Sequence, residues 1–231
     1  MKRFILPVIA AVSLFGQQKE APKPAAAAPK TPPPLFFRED WRQVPLDTEH
    51  AITQQSIGNP HLLLAVYGPG GKQIQTVKHA PPDETIHIWT GLCEANCGMT
   101  LRDKDNYVDL SGLGKVRWRV WEYGFRHLYP IVKLADGTWL VGDHADSYTT
   151  DYYDSDFLLA DVHWRLLDIG QMAEKDGKNW VEHPDLSRVD EIGFTDLRPG
   201  TGHGTGSSSH VQWMEVYGRP VPRNSPQTTG K

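Results

Sequence analysis

Four runs between Lys115 and Ile169 carry the clearest alternation of apolar and polar positions in the chain. In KVRWRVWE (115–122), Val116, Trp118 and Val120 alternate with Arg117, Arg119 and Trp121, a period of two that puts one set on each face of a strand. FRHLYPIVKL (125–134) continues the pattern, with Leu128, Val132 and Leu134 inward and His127, Tyr129 and Lys133 outward. Asp136-Gly137 separates this run from TWLVGD (138–143) and predicts a hairpin, because a tight turn needs a residue that tolerates positive φ. In FLLADVHWRLLDI (157–169) the inward set is Leu158, Ala160, Val162, Trp164 and Leu166, leaving Asp161, His163 and Arg165 on the opposite face.

Shorter runs bounded by Gly or Pro add strands on either side: HLLLAVYG (61–68), HIWTGLCE (87–94), MTLRDK (99–104), NYVDL (106–110), RVDEIGFTD (188–196) and VQWMEVYG (211–218). The best helical candidate, LDIGQMAEK (167–175), is short and interrupted by Gly170. Many short strands with turn residues between them, and no alternating helices, predict an all-β, antiparallel two-sheet sandwich rather than a parallel α/β sheet. Val116, Trp118, Val120, Val162, Trp164 and Leu166 are its expected core.

The ends read differently. Residues 1–16 (MKRFILPVIAAVSLFG) place Lys2 and Arg3 ahead of an apolar run and small residues, the form of a secretory signal peptide. Residues 17–35, rich in Pro, Ala and Lys, lack any periodic apolar pattern and predict a disordered linker. The sandwich domain is expected over residues 36–220 and a disordered tail over 221–231. Removing Lys2 and Arg3 takes the formal charge from -4 to about -6. A mildly acidic surface disfavours nucleic acid and anionic membranes, and no later stretch approaches the roughly 18 apolar residues of a membrane span. The mature protein is therefore expected to be secreted or periplasmic.

The order of the segments DLSGLGKVRWRV, VKLADGTWLVGD, a strand closing on WRLLDI, DLSRVDEIGF and WMEVYG resembles the galactose-binding-like jelly rolls. That group includes several carbohydrate-binding modules and the domain shared with complex I intermediate-associated proteins. The resemblance runs from Tyr107 to Gly218 and rests on strand text rather than a catalytic signature. It implies a jelly roll with a sugar-type ligand on the concave sheet or in the loops at one end. It also implies a calcium site near Asp40 and Glu215.

If the four central strands neighbour one another, Arg117, Arg119, Trp121, His127, Tyr129, Lys133, Asp161, His163 and Arg165 stand on one face. Polyol recognition uses such a mixture, with rings packing on sugar C–H groups and Arg, Asp and His directing hydrogen bonds. The competing reading is a wet sheet face crossed by ion pairs such as Arg119 with Asp161. The loop from Asp143 to Asp156 holds five Asp, three Tyr and His144, a candidate for calcium or for the rim of a ligand site. No other cofactor is expected. Cys93 and Cys97 predict a small-loop disulfide in an oxidising compartment, with zinc shared with His87 as the runner-up. The Gly- and Ser-rich stretch from Arg198 to His210 lacks a phosphate-binding pattern and reads as a loop, in which His203 and Ser209 are the ligand candidates.

The leading functional expectation is an exported, non-catalytic domain that binds carbohydrate or cell-envelope glycan. The alternatives are a glycoside-active enzyme, for which Asp161, Glu191 and Glu215 are the strand-borne acids, and an envelope scaffold that binds a protein partner.

Overall fold

The computed structural model describes residues 31–42, 50–78, 85–174, 179–197 and 207–224. In chain order the strands are β1 (Leu35–Glu39), β2 (His50–Ala51), β3 (Leu62–Tyr67), β4 (Gln75–Val77), β5 (His87–Trp89), β6 (Cys97–Asp103), β7 (Asn106–Asp109), β8 (Lys115–Tyr123) and β9 (His127–Leu134). They continue with β10 (Trp139–Gly142), β11 (Tyr153–Leu158), β12 (Trp164–Asp168), β13 (Ala173–Glu174), β14 (Trp180–Val181), β15 (Val189–Leu197), β16 (Ser208–Tyr217) and β17 (Arg219–Pro222). Among the described residues there is no α-helix, and residues 167–174 of the 167–175 run are the end of β12, a turn and β13.

Every pairing is antiparallel. A 7-stranded sheet runs β11-β8-β16-β5-β4-β2, with β1 also on β16. A 10-stranded sheet runs β13-β12-β10-β9-β15-β6-β3, with β14, β7 and β17 attached at its margins. The result is the expected two-sheet sandwich of jelly-roll type. Val116, Trp118 and Val120 of the first sheet meet Val132, Leu140, Trp164 and Phe194 of the second in one core. Trp118 ties the layers together, its ring lying 5.1 Å from Phe157 and 6.3 Å from Phe194 while its Nε1 donates to Asp146 at 2.7 Å. The Asp136-Gly137 hairpin forms as expected: Gly137 adopts φ 91°, and Leu134 donates its amide to Thr138 at 2.8 Å.

Three expectations are corrected. The 157–169 run is not one strand, because a 3-10 turn at Leu159–Asp161 breaks it and resets the alternation. Leu159 is therefore buried while Ala160 and Asp161 are exposed, and Leu166 is only partly covered. Second, β8 and β9 lie in different sheets, so their outward residues do not share a face. Third, the ordered chain extends past both ends of the 36–220 span. Pro34 accepts the Gly218 amide at 3.1 Å, Leu35 opens β1, and Val221 and Pro222 pair with β7. Arg223 then binds Asp190 at 2.5 Å. The expected signal peptide, most of the linker and residues 225–231 lie outside the described residues.

Candidate functional site

The nine residues expected on one face are divided among three places. Arg117, Arg119 and Trp121 stand on the outer face of the seven-stranded sheet. His127, Tyr129, Lys133 and Arg165 stand on the outer face of the ten-stranded sheet. Asp161 and His163 lie on the β11–β12 connection at one end of the sandwich.

On the seven-stranded sheet the cations are fully engaged. Asp154 accepts from Arg117 at 2.6 Å and from Arg119 at 2.9 Å, so the partner of Arg119 is Asp154 and not Asp161. Glu215 accepts from Arg38 at 2.6 Å, and Lys115 pairs with Asp156 at 2.7 Å. The Arg38 and Arg117 guanidiniums lie 4.6 Å and 5.3 Å from the Trp213 ring. Burial works to raise the Asp154 carboxyl, but its bonds to Arg119 and Arg117 outweigh that and hold it below the usual carboxylate range. Trp121 is stacked on His210 with centroids 4.5 Å apart, and its Nε1 donates to the Thr149 carbonyl at 3.2 Å. This face is a lattice of matched charges and stacked rings.

The ten-stranded sheet is built differently on its outside. Ile131, Val141, Leu167 and Met172 form a second small apolar cluster there, bordered by the half-buried rings of Tyr67, Tyr129 and Trp139. The cluster is roofed by the turn between β12 and β13. Met172 takes φ 48° and packs on two glycines; a Cβ at Gly98 would stand 2.7 Å from the Met172 methyl, and one at Gly68 would stand 2.8 Å from Met172 Cβ. Asn96 holds this roof in place by donating to the Met172 carbonyl at 2.8 Å.

Beside the roof, Tyr67 and Trp139 make an edge-to-face pair with centroids 4.9 Å apart. Glu191 lies beneath them and accepts from Thr100 at 2.6 Å, from Tyr67 at 2.8 Å and from Lys133 at 2.9 Å. Burial, followed by the hydrogen bond to Glu191, pushes the Tyr67 phenol up, so it stays a donor at neutral pH. Farther along, His127 stacks on Tyr129 with centroids 6.1 Å apart, and Arg165 pairs with Glu174. Four of the residues singled out from the sequence thus meet here. Tyr67, Thr100, Trp139 and Glu191 were not among the expected ligand residues. The alternation in TWLVGD does put Trp139 on the face opposite Leu140, the one local signal that could have found it.

Most of the carboxylates considered for calcium are engaged by donors of the same chain. Asp40 and Glu215 are both bound by Arg38. In the 143–156 loop, Asp146 accepts from Trp118 and Tyr153, Asp143 from His163, and Asp154 and Asp156 from the cations named above. Among the described residues no group of three or more His, Cys, Asp or Glu is placed to hold a metal. Cys93 and Cys97 are disulfide-bonded with Cα atoms 6.4 Å apart, which removes them as zinc ligands. Ser209 is buried in the interior and donates to Glu122 at 2.5 Å, and His203 lies outside the described residues.

No family model and no curated protein matches the chain. Among solved structures it is similar to the family 11 carbohydrate-binding module of cellulosomal cellulase Lic26A-Cel5E of Clostridium thermocellum, at 13% identity over 74% of this chain and 95% of that one, with a TM-score of 0.43. A structure of the Clostridium thermocellum family 11 module in complex with a β-1,3-1,4-mixed-linked tetrasaccharide is 12% identical over 74% of this chain and 95% of that one, with a TM-score of 0.41. An exo-β-agarase is 8% identical over 77% of this chain but only 25% of its own length, with a TM-score of 0.38.

Proposed function

We propose that the outer face of the ten-stranded sheet binds carbohydrate, without catalysis, and that the chain does so after export. The observation that carries this reading is the half-exposed Tyr67–Trp139 pair, joined to the Glu191–Thr100–Lys133 hydrogen-bond network by the Tyr67 hydroxyl, with the Lys133 ammonium 5.6 Å from the Trp139 ring. Rings of this kind pack on sugar C–H groups while the neighbouring polar atoms orient hydroxyls, and each lies on a paired strand rather than a loop. Tyr129, His127 and Arg165 extend the platform along the same sheet. The three acids that a glycoside-active enzyme would use lie apart: Glu191 on this face, Glu215 on the other sheet, and Asp161 on the connecting turn. Export rests on the N-terminal sequence alone, and mass spectrometry of secreted material is expected to find a chain that starts near Gln17.

Binding is tested by titrating soluble oligosaccharides, first chosen on a glycan array, against paired variants. Affinity is expected in the micromolar to millimolar range, because each sugar hydrogen bond also displaces water. Trp139→Ala should weaken binding by about tenfold or more, equivalent to about 1.4 kcal/mol, with the far-UV spectrum unchanged. Trp121→Ala, on the opposite face of the molecule, should leave it intact. Loss of binding in Trp121→Ala but not in Trp139→Ala would move the site to the other sheet.

A further inference from the structure

Two parts of the platform, the end of β3 that carries Tyr67 and the roof at Met172, are held by the same short loop. Cys93 and Cys97 are joined by a disulfide across a sequence separation of 4, and residues 94–96 form the loop between them. Asn96 makes its two outward ties. The Asn96 carbonyl accepts the Gly70 amide at 3.0 Å, shortly after Tyr67 in the chain, and its side-chain amide donates to the Met172 carbonyl at 2.8 Å. Glu94 adds a third tie by donating its amide to the Gln73 side chain at 3.0 Å. The approach is close: a Cβ at Gly70 would stand 2.3 Å from the Ala95 carbonyl oxygen, and one at Gly68, which takes φ 81°, would stand 2.5 Å from that of Asn96. The turn after β3, the 94–96 loop and the roof are therefore packed as one body, and a shift of Asn96 is passed to both of the others.

On the interior side each cysteine has an anchor of its own. The Cys93 carbonyl accepts from the buried Arg126 at 3.1 Å, and the Cys93 amide donates to the Thr90 carbonyl at 2.9 Å. The Cys97 carbonyl accepts from Thr195 at 2.9 Å, and Cys97 pairs with Asp196 between β6 and β15. These anchors stand without the sulfur bond, so the fold does not depend on it. Closing so small a loop also removes little freedom from the unfolded chain. The consequence of the bond is local, because what it restrains is the path of residues 94–96. In the finished fold Cys93 and Cys97 are 2% and 0% exposed, out of reach of an attacking thiolate.

We propose that the Cys93–Cys97 disulfide is an oxidative latch that positions the platform through Asn96, set during export and sealed by folding. In the step, the two cysteine thiols lose two electrons and two protons to a disulfide oxidant, which leaves as a dithiol, and the Sγ–Sγ bond forms. Before it, the sandwich is present but the Met172 roof and the turn after Tyr67 are loose. Asn96 is a positioning residue. The proposal rests on the reading of the sheet as an exported binding platform, but its test uses no saccharide, so the two can fail separately.

The test is hydrogen exchange read by mass spectrometry on the full chain with the disulfide formed, on Cys93→Ala/Cys97→Ala and on Asn96→Ala. The double variant is expected to fold and to exchange about tenfold faster in the segments 68–73 and 169–174, with β8 and β11 unchanged. Asn96→Ala keeps the disulfide and the backbone carbonyl, so it should quicken 169–174 and leave 68–73 as it was. Dithiothreitol should release no thiol from the folded chain, counted by alkylation, and two once guanidinium unfolds it. Equal quickening in both sheets, an unchanged 169–174 segment in either variant, or thiols released from the folded chain would each overturn the proposal. If the exchange pattern appears while the oligosaccharide titration finds no binding at the platform, the latch stands and the platform reading falls.

Discussion

On the outer face of the seven-stranded sheet, Arg38, Arg117 and Arg119 each bind a carboxylate and lie near an aromatic ring. On the outer face of the ten-stranded sheet, Tyr67, Tyr129 and Trp139 border an apolar cluster and keep part of their surface in water. Both faces are made by the same period-two alternation of aromatic and charged residues. What differs is the neighbouring strand. Around β8, the strands β11 and β16 supply Asp154, Asp156 and Glu215 in register, so charge is cancelled across the sheet. Around β9, the strands β10 and β15 supply Trp139, Val141 and Glu191, so apolar side chains collect and a turn folds over them. A face whose charges and rings already satisfy one another offers little to a ligand, whereas a half-covered aromatic border with fixed donors offers both contact area and direction.

The largest expected effect comes from the layer beneath both faces. Trp118→Ala removes a fully buried indole and one of the donors to Asp146, and should cost about 3 to 5 kcal/mol, read by denaturant unfolding as a loss that touches both sheets together. Trp164→Ala is expected to behave alike.

Met172→Ala sharpens the contrast. It takes the roof from the outer cluster of the ten-stranded sheet and should cost about 2 to 4 kcal/mol, with hydrogen exchange quickening in β10 and β12 more than in β8 and β11. Equal quickening in both sheets would show that the outer cluster is not a unit of its own.

Glu122 provides a pH handle on the interior at the other end of the sandwich. Burial, then repulsion from Asp196, raises its carboxyl well above the usual range, against a smaller opposing effect from the Ser209 hydrogen bond. The nearby charges are Asp196 from β15, Arg126 before β9, and Asp146 from the 143–156 loop. Arg126 is already committed, to Asp196 at 2.9 Å and to the Cys93 carbonyl at 3.1 Å, and Glu122 Oε1 finds no donor. The folded state therefore holds a proton that the unfolded chain releases. Stability from this group is complete below the unfolded carboxylate range and is lost as pH rises toward the folded value. Glu122→Gln, which keeps the shape and the Ser209 contact, should raise the melting temperature at pH 8 more than at pH 4.

The smallest effect is expected on the charge lattice. Asp154→Asn leaves Arg117 and Arg119 with other ring partners in water and should cost no more than about 1 kcal/mol, a difference that shrinks in 1 M salt. Because pairing lowers the Asp154 carboxyl in the folded state, its contribution should also fade as pH drops below about 4. A loss much larger than this would mean that the lattice, and not the core below it, holds β11 to β8.

Local text was enough to place Val116, Trp118 and Val120 in the core, to turn the chain at Asp136-Gly137, and to set Arg117, Arg119 and Trp121 on one side of a strand. It was not enough to follow the chain through Leu159–Asp161, where nothing in FLLADVHW marks the 3-10 turn. One residue of offset there moved the buried position to Leu159. At the candidate site, Tyr129, His127, Lys133 and Arg165 were legible as outward residues, but their companions were not. Thr100 reads from sequence as an ordinary strand polar residue, and Glu191 reads only as an acid for catalysis, not as the partner of Tyr67 and Lys133.

The sequence by itself therefore determined the class of fold and, strand by strand, which side chains share a face. The pleat sets a period of two over a few residues, and burial selects the apolar phase. Only the tertiary structure decided which strands lie side by side. The Arg119–Asp154, Tyr67–Glu191 and Trp139–Tyr67 contacts join strands that are not adjacent in the chain. Pairing at that range is settled by how two sheets close over one core, a global packing condition that no local alternation encodes.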